Sequence, residues 1–109
     1  MKRTEMIKDK KIFNEIIRKG KYTKDKNFVI YYIDNKSEHT NFGIAIKKSI
    51  GTAVVRNRLK RQTRAIIDNN RKLFKNSYNY IIMIREGCLT SSFSEMSSSL
   101  ETLMKGKIE

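Results

Sequence analysis

Apolar positions along this chain change period several times, and each change marks a new element. Between Asp9 and Lys19, Ile12, Phe13, Ile16 and Ile17 recur at helical spacing, with Asp9 placed to cap and Gly20 to stop a helix. Phe28 to Ile33 is β-branched and aromatic between polar runs, which predicts a strand. The polar stretch from Asp34 to Asn41 turns the chain into a second strand, Phe42 to Lys47, and a short extended segment is expected around Gly51 to Val54. Val55, Leu59, Ile66 and Leu73 then fall within one sector at roughly 100° per residue, so a long helix is predicted to about Phe74. Tyr78 to Arg85 reads as a further strand, and its apolar centre, Ile81 to Ile84, implies burial on both faces. Ser92-Phe-Ser-Glu95 is a capping box that opens a last helix carrying Phe93, Met96, Leu100, Leu103 and Met104 at helical spacing. The order α-β-β-(β)-α-β-α, without proline, repeat or linker, predicts a single domain over residues 1–109. Its expected class is α+β, a small two-layer sandwich of helices against one sheet.

Charge changes the meaning of the long helix. The chain carries 24 Lys+Arg against 11 Asp+Glu, a formal net charge of +13, yet its 39% apolar content is patterned enough for a core. Arg56, Lys60, Arg64 and Arg71 lie together away from the apolar stripe, with Arg61 and Lys72 flanking them. Such a band suits a polyanion, because guanidinium forks match phosphate oxygens and stack on bases. A membrane partner is not expected, since no stretch approaches the roughly 20 apolar residues of a spanning helix, and the charged start Met1 to Glu5 is no signal region. One cysteine excludes an internal disulfide and fits a reducing compartment, so a cytoplasmic location is expected.

Catalytic groups are sparse. His39 is the sole histidine and falls in a polar turn, and Cys88 has no histidine near it in sequence to activate it. No Cys/His spacing suggests zinc, the carboxylates are dispersed, and no Gly-rich phosphate loop exists. Tyr31 and Tyr32, adjacent in a strand, must point to opposite faces, so one enters a core while the other stays on an open surface. An aromatic on an open sheet face beside cations suits single-stranded RNA.

The stretch Gly43-Ile-Ala-Ile-Lys-Lys48, then Ala53-Val-Val-Arg-Asn-Arg-Leu-Lys-Arg61 with Arg64, resembles the signature of the bacterial ribonuclease P protein subunit. Phe13 to Gly20, Phe28 to Tyr31 and Tyr80 to Arg85 extend the likeness over almost the whole chain. The resemblance implies a ribosomal-protein-like sandwich in which the basic helix joins two parallel strands by a left-handed crossover, against the general right-handed rule. It implies a ribozyme cofactor that assists removal of the 5′ leader from precursor tRNA. Magnesium would be required by the RNA subunit, with no cofactor on protein side chains. Carried over by position, Lys48, Arg56, Asn57, Arg58, Lys60, Arg61 and Arg64 match the motif that contacts the RNA subunit. Phe13, Ile17 and Tyr31 match positions lining a cleft for the single-stranded leader. Two departures stand out: Ile17 occupies a position where relatives often carry an aromatic, and Ser49 replaces the second lysine of a Lys-Lys pair. Expected partners are therefore ribonuclease P RNA and precursor tRNA, with sulfate or phosphate able to occupy the basic sites and the isolated protein monomeric. A structural RNA-binding protein of the ribosome and a ribonuclease that cuts unaided are the alternatives from other classes.

Overall fold

The computed structural model describes residues 5–107; the charged start of the chain, residues 1–4, lies outside them. Helix α1 (Lys10–Lys19) begins where the Asp9 carboxylate accepts the Lys11 N–H at 2.8 Å. It ends at Gly20, and the reason is space rather than a left-handed backbone, since φ is −72° there. A Cβ on Gly20 would lie 2.5 Å from the Ile16 carbonyl oxygen and 2.9 Å from that of Tyr32. The chain passes directly into β1 (Lys21–Lys24), a strand too short and polar to show in the hydrophobic pattern. Asp25 Oδ1 then accepts from the N–H groups of Asn27 and Phe28, at 2.8 and 2.9 Å, and turns the chain into β2 (Phe28–Asp34).

The remaining elements are β3 (Asn41–Ile46), α2 (Ala53–Asn69), β4 (Tyr78–Ile84) and α3 (Phe93–Lys107). The extended segment expected around Gly51 to Val54 is not formed. Thr52 is instead the N-cap of α2, its hydroxyl accepting from the Val55 N–H at 3.3 Å, and Ala53 and Val54 make the first turn. The fourth strand of the sheet is β1. Helix α2 also stops before the expected Phe74. The Asn70 side chain donates back to the Ile66 carbonyl at 2.8 Å, and a separate 3₁₀ turn, Arg71–Leu73, follows. The capping box of α3 forms as predicted: Ser92 N–H donates to Glu95 Oε1 at 2.8 Å, and Glu95 N–H to Ser92 Oγ at 3.1 Å.

The sheet runs β1-β2-β4-β3, with β1/β2 and β2/β4 antiparallel and β3/β4 parallel. Helix α2 is thus the crossover between the parallel pair, and β4 is interior, which accounts for its apolar run. One sheet face carries Phe28, Ile30, Phe42, Tyr80, Ile82 and Ile84, all buried against Leu59, Ile66 and Ile67 of α2 and Met96, Leu100 and Met104 of α3. Tyr32 and Tyr78 pack on the same core. Helix α1 takes the opposite face. Gly43, next in strand to the core residue Phe42, lies under it: a Cβ there would meet Ile81 Cδ1 at 2.6 Å and Phe13 Cε2 at 3.1 Å. Ile16 and Ile81 are buried outside the main core cluster, in this second contact.

Candidate RNA-binding groove and basic helix

Strand register aligns Tyr22, Tyr31, Ile81 and Gly43 in one row across the face that α1 covers in part. Phe13 closes the row at its Gly43 end. At the other end Tyr31 is half-buried and Tyr22 exposed, their ring centroids 5.8 Å apart at 46°. The next row on this face, Lys24, Val29, Met83 and Ala45, carries the open surface onward. Two adjoining cavities result, of about 550 and 490 Å³, which share Val29, Tyr31 and Arg85. Ile17, Arg18, Tyr22 and Lys24 line the second, beside α1. Lys26, Lys47, Ser49, Ile50 and Met83 line the first, toward the β3–α2 loop. The floor is apolar and aromatic, and the rim is largely cationic. Arg85 is oriented by donating from Nη1 to the Asp25 carbonyl at 2.6 Å.

Of the three residues assigned to a leader cleft, Ile17 and Tyr31 face one cavity. Phe13 lies on the same face but is pressed on Gly43 and lines neither cavity. Tyr22, Lys24 and Arg85 were not singled out from the sequence. The available signal was the Asp25 turn, which marks a hairpin and so makes the four residues before it a strand.

On α2, Asn57, Arg58, Arg61 and Arg64 are exposed, while Arg56 and Lys60 are half-buried at the border with the core. At roughly 100° per residue, Lys60, Arg64, Asn57 and Arg61 form one ridge and Arg58 stands roughly 120° from Arg64 on the other flank. Arg56 is engaged within the protein itself. Its Nη1 donates to the Lys48 carbonyl at 3.0 Å and the Gly51 carbonyl at 2.8 Å, tying the β3–α2 loop to the helix. Lys48 and Ser49 are exposed on that loop. Arg71 does not join the band to which its spacing assigned it. It belongs to the 3₁₀ turn, pairs with Glu5 (Nη1 to Oε1, 3.2 Å) and lies 5.0 Å over the Phe42 ring. Donating to the Glu5 carboxylate raises its pKa further.

Cys88 is buried, and its Sγ donates to the Asn27 carbonyl at 3.2 Å. Burial pushes the thiol up to about 11, away from nucleophilic use. His39 is exposed on the loop between β2 and β3. Among the described residues no three of His, Cys, Asp or Glu group so as to hold a metal ion, and no helix is long and apolar enough to cross a membrane.

A four-stranded sheet with one face sealed by two helices, one of them cationic on its outer side, and the other face open beside a third defines a class: small basic α+β proteins suited to a polyanion. The match to the Ribonuclease P family model spans residues 1–107, and the chain belongs to the ribonuclease P protein family. It is 40% identical over 106 residues to the ribonuclease P protein component of Mycoplasma mycoides, covering 96% of this chain and 97% of that one. To the component of Syntrophomonas wolfei it is 34% identical, over 91% of this chain and 83% of that one. The ribonuclease P protein of Staphylococcus aureus superposes with a TM-score of 0.85 at 28% identity, covering 93% of both chains. That of Thermotoga maritima gives 0.82 at 26% identity, over 93% and 96%. The family is that of the protein component of the endoribonuclease holoenzyme that matures tRNA 5′ ends with an RNA partner. A ribosomal role finds no support in these likenesses.

Proposed function

We propose that the open groove receives the single-stranded 5′ leader of precursor tRNA while the exposed face of α2 docks on the RNA subunit. One observation carries this: the groove ends at the loop of Lys47, Ser49 and Ile50, and Arg56 ties that same loop to the first turns of α2. A strand leaving the groove there meets whatever RNA is bound at the helix start. Lys48, Asn57, Arg58, Lys60, Arg61 and Arg64 supply the docking charge, and Arg56 sets the loop while keeping the rest of its guanidinium for phosphate. Ile17 and Tyr31 wall and floor the leader path, with Phe13 pressed on Gly43 beyond it. Phosphate contacts hold RNA in a salt-dependent manner with little sequence reading, which suits one protein serving many precursors.

We assign the reaction's magnesium ions to the RNA subunit: Lys24, Lys26, Lys47 and Arg85 line the groove against a single carboxylate, Glu86, a balance that favours phosphates over a divalent cation. Cations on both RNAs lower their mutual repulsion and raise the local affinity for magnesium. The free chain acts as a cytoplasmic monomer whose basic sites take sulfate or phosphate when RNA is absent.

The test is cleavage of a 5′-extended precursor tRNA at low magnesium by the RNA subunit alone, the protein alone and both. Cleavage with both and with neither alone is expected. Activity of the protein alone would place the chemistry in its side chains, and no stimulation by it would end the proposal.

A further inference from the structure

We propose that Tyr22, on the edge strand β1, is a second base-stacking residue of the groove and carries the leader one nucleotide beyond Tyr31. The inference rests on the groove being the leader path. Of the five tyrosines, Tyr32, Tyr78 and Tyr80 belong to the opposite, packed face, and Tyr31 is half-buried. Tyr22 alone is exposed, at 58%. Its position is nonetheless defined. It pairs directly with Tyr31 in the β1/β2 register, and the two rings lie 5.8 Å apart, tilted at 46°. That tilt leaves Tyr22 as an adjoining platform and not a duplicate of Tyr31.

Its surroundings suit a nucleotide. Arg18 of α1, Lys24 two residues along the same face and Arg85 of β4's end line the same cavity. A base laid on the Tyr22 ring would therefore have cations on several sides for its phosphates, which is how sequence-tolerant single-strand sites are built. Across the cavity the α1 wall offers Ile17, which is apolar but has no ring. Tyr22 and Tyr31 are then the rings of this cavity. β1 is the last strand on its side of the sheet, so a strand crossing Tyr31 away from the β3–α2 loop leaves the protein over Tyr22.

Two substitutions separate stacking from packing. Tyr22→Leu keeps an apolar cross-strand partner for Tyr31, and Tyr22→Phe keeps the ring. Reconstituted holoenzyme would be titrated with mature tRNA and with precursors of stepwise longer leaders. For leaders long enough to reach β1, Tyr22→Leu is expected to weaken binding about tenfold, a value within the range of one lost base–aromatic stack. Shorter leaders and mature tRNA should bind as before, and Tyr22→Phe should stay within about twofold of wild type. If Tyr31→Leu weakens long-leader binding and Tyr22→Leu does not, the inference falls and the groove stands. If neither matters, the groove is not the leader path and both fall. Equal losses for mature tRNA, or a Phe variant as weak as the Leu variant, would also overturn stacking by Tyr22.

Discussion

Arg56 and Arg61 lie five residues apart on one helix and differ in kind. Arg56 is half-buried and gives Nη1 to two loop carbonyls, whereas Arg61 projects from the open ridge. Arg56→Ala is expected to lower stability by about 1 kcal/mol, since two charge-assisted bonds near the surface are lost, and to weaken assembly with the RNA subunit as well. Arg61→Ala should change stability by no more than about 0.5 kcal/mol. Its effect should appear in assembly, where removing one phosphate contact reduces the salt slope of log K by about 0.7–0.9. Denaturant melts and RNA titrations across a salt series separate the two. A normal slope for Arg61→Ala would remove that residue from the interface. On the helical wheel Arg61 stands opposite the buried stripe, whereas Arg56 falls between Thr63 and Ile67 at its edge, and the loop's path back toward the helix supplies that half-buried guanidinium with carbonyl partners.

At the scale of elements, the seating of α1 on the sheet creates the groove, and Gly43 permits that seating. A methyl group at position 43 would meet Ile81 Cδ1 at 2.6 Å and the Phe13 ring at 3.1 Å, so the Ile81 tip must turn aside and the Phe13 ring of α1 must yield slightly. Gly43→Ala is expected to cost about 1–3 kcal/mol, the range for overpacking a filled site. It should also weaken leader-dependent binding, because Ile17 moves with α1. Unfolding midpoints and binding of precursor against mature tRNA would check this; full stability with unchanged leader binding would mean that α1 tolerates the shift. The helix itself was legible, because Asp9, the apolar spacing and Gly20 are local signals. Which face it covers was not, since the stripe says only that something must be covered. Strand β1 was missed for a related reason: four mostly exposed residues show no apolar alternation, and the strand exists because β2 offers it a free edge.

Over the whole molecule, a net charge of +13 sits on a body with a radius of gyration of 13.0 Å, so self-repulsion opposes folding until anions bind. Sulfate at ten times its dissociation constant is expected to add about 1.4 kcal/mol by linkage. It should raise the melting temperature above that in chloride of equal ionic strength; equal gains in both salts would indicate screening without defined sites. Most of the elements, the α+β class, the basic face of α2 and the family were legible in the amino-acid order, because caps, periodicities and the Arg-Asn-Arg stretch are read within a few residues of one another. Folding added that Tyr22 stands beside Tyr31 across the β1/β2 pair, that Arg71 turns to Glu5 and Phe42, and that the fourth strand is β1 and not the segment at 51–54. Each of these depends on a pairing partner: the β2 edge for β1 and Tyr22, and for Arg71 two residues far away in sequence. The free energy of such a contact belongs to the pair, and neither segment carries it alone.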